Sequence, residues 1–462
     1  MCAKTGTVLC AEKTRIVFAA AKTGMVPGAV KTGISVGAVK PGRGAVGLSL
    51  FLPFPPILVL CIALLLAAWA AADASPAFRL SLRDMQELPC PDCDGIALGD
   101  INGNGRMDIL ASSGKHGETF WFEQGERYRD WTRHFIHRLP PPRGEIEGND
   151  LGDFNGDGRL EAVSLDQPNG VIYMHAPVDD PRGQWRSAAI QRKRPFLQAT
   201  LVTDIDGDGV ADLVYSWEGD ASGRGGIHWL KCAGGDPLNP AHWTDQRLVQ
   251  HESAWWIAPR RADFSGQGGP GDIVFTARRK PSRNPGTRPG LFRLEAPQDP
   301  PQPWRRHVID DTLKHPLQVD FGNLAGEGHG LDLVIGGFET NVVYWYAYKD
   351  GWKRSELPVP DATEDNPTTL VWNVKTLRSG TPRDAVLVAA TGDIRGGALW
   401  CFEYVEDAYR PWKVMDIGYA HPMDDRILLH DLDGDGVDEV FIPDSGIGVN
   451  RLRILHFDRK EP

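Results

Sequence analysis

The chain has 462 residues with 52 glycines, 35 prolines and 15 tryptophans, and a formal net charge of −11. That length can bury a large core, and the acidic balance argues against a phosphate-backbone partner, so no nucleic-acid role is expected. No stretch carries apolar residues at helical spacing over a long helix, whereas this much glycine and proline suits many short strands and tight turns.

Residues 1–50 are a low-complexity leader repeating Lys-Thr-Gly and Gly-Ala-Val-Lys; no regular structure is expected there, and Met25 is an alternative start. Gly33-Ile34-Ser35-Val36-Gly37 matches a nucleophile-elbow pattern, but without a strand–turn–helix context it reads as chance. Within residues 51–74, the apolar run Ile57–Ala72 leads to small residues at Ala70-Ala71-Ala72 or Ala72-Asp73-Ala74. This reads as a signal peptide; the alternative is an uncleaved N-terminal anchor, which Pro53, Pro55 and Pro56 interrupt. Both readings make residues 75–462 a secreted, periplasmic or cell-surface body, touching membrane only through the anchor. The leader holds seven basic residues against Glu12, so the body is more acidic than the whole chain.

Cys90-Pro91-Asp92-Cys93 opens the body as a C-x-x-C. No second such pair completes a zinc site, and export favours a structural disulfide.

One acidic loop then occurs four times. The copies place Asp100, Asn102, Asn104, Arg106 and Asp108; Asp153, Asn155, Asp157, Arg159 and Glu161; Asp204, Asp206, Asp208, Val210 and Asp212; and Asp431, Asp433, Asp435, Val437 and Glu439 at positions 1, 3, 5, 7 and 9. Side chains 1, 3 and 5 converge, glycine at position 6 permits the sharp turn, position 7 offers its carbonyl and the last acid closes the cage. Hard oxygens in that pattern suit Ca2+, which takes about six to eight of them. The closing acid enters a strand at position 9 rather than a helix at position 12, which excludes an EF-hand. Carboxylate count ranks the expected affinities: four at Asp204 and at Asp431, three at Asp153, two at Asp100. Three further repeats have lost the motif, around Asp263, Asn323 and Thr376. In the last, Arg378 falls where a ligand would sit and is expected to supply the positive charge itself.

Each loop lies between two strand-like runs, followed by a third and a tryptophan-led fourth. Third-strand segments recur seven times, from Thr119–Phe122 to Arg453–His456; tryptophan-led fourth strands begin six times, at Trp131, Trp185, Trp243, Trp304, Trp352 and Trp412. The missing strand is assigned to Phe78–Arg83. The expected fold is therefore all-β: a seven-bladed β-propeller of four-stranded antiparallel blades, the last closed by an N-terminal strand.

The acidic loops, the Leu-Val strands after them and the tryptophan-rich strands downstream resemble FG-GAP/VCBS repeats, as in the integrin α-subunit N-terminal propeller. The resemblance spans about residues 77–460. It implies a calcium-binding extracellular propeller and leaves the activity open, because relatives bind or process very different ligands.

Since the acidic loops join first to second strands, ligand contacts are expected on the opposite face. Candidates there are Trp255, Trp256, Arg260, His315, His421 and Asp424. Trp255 and Trp256 are adjacent on a strand and point to opposite sides, so one is expected in the core and the other between blades or open for stacking. The basic run Arg278–Lys280 reads as a solvated turn; Glu145 with Glu147 has the chemistry for acid–base work but in so acidic a chain reads as one carboxylate pair among many. The expected function is a binding or scaffold module for an extracellular protein or glycan. The alternative is a carbohydrate-active enzyme of lyase or dehydratase type using that face; no triad, histidine metal motif or phosphate loop supports it.

Overall fold

The computed structural model describes the backbone of residues 8–11, 14–20, 34–39 and 46–50. It also describes 79–460, apart from 142–143, 193, 221, 223, 251–252, 265–270, 280–285, 327–329, 338–340, 350, 362–367, 369, 380, 392–395, 419–425 and 445–449. The chain divides into two compact units, Met1–Pro76 and Ala77–Pro462. In the first, Val8–Ala11, Thr14–Ala20, Ile34–Val39 and Val46–Leu50 form an antiparallel meander, where the sequence led us to expect no regular structure. Ser35 lies inside one of these strands, not at a strand–helix turn. The apolar run at 57–72 lies outside the described residues.

The second unit is a seven-bladed β-propeller, each blade an antiparallel sheet of four strands. Blade 1 runs through Cys93–Gly99, Asp108–Ser113, Glu118–Gln124 and Trp131–Arg138. Blade 2 spans 146–191, blade 3 197–250, blade 4 254–310, blade 5 316–358 and blade 6 370–418 in the same order. Blade 7 combines Leu428–His430, Glu439–Asp444 and Arg451–Arg459 with Leu80–Pro89, which pairs antiparallel with Arg451–Arg459. The closing strand therefore comes from the N-terminal side, as its apolar pattern suggests, but it starts at Leu80 and runs on to Pro89. Pairing the two ends of the unit removes two open sheet edges at once.

The second strands are short continuous apolar runs rather than alternating ones, the pattern of strands covered on both faces. Asp108–Ser113, Glu161–Asp166, Asp212–Trp217 and Glu439–Asp444 are buried at every position. Fourth strands such as Trp131–Arg138 and Trp352–Pro358 are mostly half-buried or exposed and form the outer edge. The apolar clusters lie between blades. Phe154, Val163 and Met174 of blade 2 pack with Leu213, Tyr215 and Leu230 of blade 3, and Ile96 and Phe120 of blade 1 with Phe441 and Ile454 of blade 7. The fourth-strand tryptophans seal the outer ends. The indole N–H groups of Trp185, Trp243 and Trp304 donate to the carbonyls of Pro181, Pro237 and Pro300 at 2.7, 2.9 and 3.0 Å.

Candidate functional site

Two rims carry chemistry. On the first, the acidic loops coil around their leading aspartate. In blade 1, Asp100 Oδ1 accepts the Asn104 N–H at 2.9 Å and Oδ2 the Gly105 N–H at 2.7 Å; the Asn104 Oδ1 accepts the Arg106 N–H at 2.8 Å. Asp153, Asp204 and Asp431 bind their own loop amides in the same manner. The glycines at positions 4 and 6 all have positive φ, between 72° and 87° for Gly103, Gly105, Gly156, Gly158, Gly207, Gly209, Gly434 and Gly436. A Cβ on Gly103 or Gly105 would meet nothing within 4 Å, so conformation rather than space demands glycine there.

The last acid of each loop also anchors backbone. Asp212 is fully buried; its Oδ2 accepts the Ile205 N–H at 3.1 Å and its Oδ1 the Cys232 N–H of the third strand at 2.8 Å. Asp108 holds Ile101 and Gln124 in the same way, at 3.0 and 2.9 Å, and Glu161 accepts the Phe154 N–H at 3.0 Å. Burial, with neighbouring loop carboxylates adding to it, pushes Asp108 and Asp212 up to about 6 and Glu161 up to about 7. A cation at these loops would oppose that shift.

Two loops gather three acidic ligand atoms within 4.8 Å of one another: Asp204, Asp206 and Asp208 in blade 3, and Asp431, Asp433 and Glu439 in blade 7. Neither Asp212 nor Asp435 belongs to those sets. The oxygen-only donors suit a hard divalent cation. In blade 3, Asp206 Oδ1 is buried without a hydrogen-bond partner, and the Lys231 ammonium stands between Asp206 and Asp208, 3.2 Å from Asp208 Oδ2. Positive charge therefore already collects where an ion would sit, and the residues fit one.

In the repeats without the motif, arginines hold the rim. Arg293 Nε lies 2.6 Å from Asp272 Oδ2 in blade 4. Arg261 of that blade donates to the Asp204 carbonyl in blade 3 at 2.9 Å, and Arg383 of blade 6 to the Leu324 carbonyl in blade 5 at 2.8 Å. Arg378 was expected to neutralise its own loop. It reaches instead into blade 7, where its Nε binds both oxygens of Asp438 at 3.1 and 3.0 Å, because its side chain extends across the blade interface.

The opposite rim contains a feature that sequence reasoning missed. In blades 1 to 6 the register between first and second strands breaks at the same place, near the start of the first strand. The extra residues include Asp94, Glu147, Gln198, Trp255, Gln318 and Trp372, one per blade. Bulges re-aim side chains, and these lie at the end of the first strand remote from the acidic loops. Blade-to-blade bonds fix them: the Ser216 hydroxyl donates to the Trp255 carbonyl at 2.9 Å, the Thr276 hydroxyl to the Leu317 carbonyl at 2.7 Å, and Asn149 Nδ2 to the Gly95 carbonyl at 3.0 Å. Arg426 enters from blade 7 and crosses to blades 2 and 3, donating to the Asn149 carbonyl and the Thr200 hydroxyl, both at 2.9 Å. Only the hydroxyl-rich second strands (Ser112, Ser164, Ser216, Thr276) hinted at this layer in the sequence.

The predicted ligand-face residues divide. Trp256 is 5% exposed and belongs to the core. Trp255 is half-buried beneath the Arg278 guanidinium, 3.0 Å from its ring centroid. Arg278 is not in a solvated turn; it is buried and paired with fully buried Glu218 at 2.8 Å, which fixes it over the ring. Arg260 follows its first strand and so belongs to the acidic-loop end, where it donates to the Gly330 carbonyl and covers Phe321. His315 is half-buried just before the first strand of blade 5, on the expected rim. His421 and Asp424 lie outside the described residues. Glu147 accepts a hydrogen bond from Gln167. Cys90 and Cys93 are joined by a disulfide between the closing strand and blade 1, while Cys232 and Cys401 are buried and free.

Residues 92–164 match the model of an FG-GAP-like repeat, which bears out the resemblance seen in the acidic loops. Those residues contain the first two loops and the strands around them. No curated protein matches the chain. Among solved structures, the Dos1 propeller aligns with a TM-score of 0.46 at 10% identity, covering 81% of this chain and 95% of that one. A luciferin-regenerating enzyme aligns at 0.39 and 10% identity, covering 79% and 96%.

Proposed function

We propose that this chain is an exported calcium-binding propeller that acts as a binding or scaffold module, with its ligand, an extracellular protein or glycan, held on the rim opposite the acidic loops. The bulge ring carries the proposal. At the end of the first strands remote from the acidic loops it holds the half-buried indoles of Trp255 and Trp372 and the half-buried Glu147, with Asp94, Gln198 and Gln318 buried in the same ring and Arg426 bonded to blades 2 and 3. Indoles stack on sugar rings or apolar side chains, while a carboxylate such as Glu147 accepts hydroxyls or backbone N–H groups. The acidic rim serves stability instead, since Ca2+ there binds only the folded loops and so stabilises the blades. The Cys90–Cys93 disulfide fits an oxidising compartment.

A glycan and peptide array probed with the full chain in calcium tests this. Binding that weakens at least about tenfold in Trp372→Ala, with unchanged thermal stability, supports the ring as the ligand face. Unchanged binding in Trp372→Ala and Trp255→Ala sinks it, and turnover of a bound glycan moves the protein to the enzyme class.

A further inference from the structure

The two loops richest in carboxylates are also the two that carry a basic side chain from another strand. In blade 3, Lys231 pairs with Asp206 and with Asp208, the latter at 3.2 Å. In blade 7, Arg83 of the closing strand lies 3.0 Å from Asp433 Oδ2 and 3.9 Å from Glu439 Oε1. Among the described residues, the loops of blades 1 and 2 carry no such ion pair. Their own arginines turn away: Arg106 Nε donates to the Gln124 carbonyl at 3.1 Å, and Arg159 to the Asp179 carbonyl. Lys231 is held in place by its neighbour, because the Cys232 N–H is bonded to Asp212 at 2.8 Å. The third strand thus delivers the ammonium to the loop.

We propose that Lys231 is a built-in counter-cation of the blade 3 loop, competing with the divalent ion for the same carboxylates, and that Arg83 plays this part in blade 7. The proposal rests on the calcium reading above. Converging carboxylates repel one another, and a basic side chain among them offsets that repulsion when no metal is bound. An ammonium bridging Asp206 and Asp208 fills the space that an ion bridging them requires, so metal entry must displace it. Carboxylate count alone then overstates the affinity of these two loops. Blade 4 shows the permanent form of the device: Arg293 pairs with Asp272, and the sequence of that repeat has Ser265 and Gln267 where the motif has acids or amides.

Calcium titration calorimetry and thermal unfolding of the full chain test the proposal, comparing wild type with Lys231→Met, which keeps the aliphatic stem, and Lys231→Arg, which keeps the charge. The expected result is one site tightened about tenfold in Lys231→Met but not in Lys231→Arg. Lys231→Met should also melt lower than wild type in chelator and no lower in saturating calcium. Wild-type affinity in Lys231→Met, or an equal loss of melting temperature with and without calcium, overturns the counter-cation and leaves the calcium reading standing. No calcium heat and no calcium-dependent melting in any of the three proteins removes both.

Discussion

Blades 3 and 4 keep the same buried aspartate in different company. Asp212 and Asp272 each enter a second strand and accept an amide of the third, from Cys232 at 2.8 Å and from Ala296 at 2.9 Å. Around Asp212 the loop supplies Asp204, Asp206 and Asp208. Around Asp272 an arginine supplies the positive charge. In blade 5 the same anchoring is done by Asp332: its Oδ2 accepts the Leu324 and Ala325 N–H groups at 2.9 and 2.7 Å, and its Oδ1 the Tyr348 N–H at 2.9 Å. The comparison separates two roles that the loop motif merges. The closing acid pins backbone in blades with and without the motif, and the metal-type loop is an addition that the fold can replace.

The sharpest way to break that separation is Asp332→Ala. It leaves three backbone amides without their acceptor and should cost about 4 kcal/mol in denaturant unfolding, equally in calcium and in chelator. A loss confined to calcium would mean that blade 5 holds metal too. Next, Arg293→Met strips the cation from Asp272, a mostly buried pair, and should cost about 3 kcal/mol independently of calcium. Adding Asp272→Asn should restore much of it; no recovery would mean that Arg293 acts through packing over Phe264 instead.

A smaller effect comes from pH. In the metal-free protein, Asp108 and Asp212 are raised from 3.8 to about 6 and Glu161 from 4.5 to about 7. The folded state therefore holds more protons than the unfolded one across roughly pH 4–7, and the contribution of these groups falls as pH rises through that window. Calcium favours the ionised carboxylates and opposes the trend. The rise in melting temperature on adding calcium should accordingly be larger at pH 7.5 than at pH 5, and a rise independent of pH would separate the metal from these acids.

The blade count was legible because the same local chemistry recurs: an acidic turn in four blades, a tryptophan-led edge in six, and a continuous apolar strand between them. The closing strand was legible in kind but shifted in position, since Leu80–Pro89 is fixed by pairing with Arg451–Arg459 at the other end of the unit. The loop oxygens were legible because their spacing is local. Lys231, Arg83 and Arg293 were not, because each reaches a loop through strand pairing that depends on hairpin length and twist. The two tryptophans divide as period-two geometry requires, but nothing local to Trp255 announces Arg278, whose place is set by Glu218 in the preceding blade. The bulge ring was equally hidden, because a bulge is a mismatch between two strands rather than a property of either.

Metal binding at the acidic loops is tested most directly by thermal unfolding of the full chain in millimolar calcium against excess chelator. An ion at about a hundredfold over its dissociation constant stabilises the fold by about 2.7 kcal/mol per site. The melting temperature should therefore rise clearly with calcium and fall back in Asp204→Asn and Asp431→Asn. Identical melting in calcium and chelator would contradict the account and leave the loops as turns held by their own amides and basic neighbours.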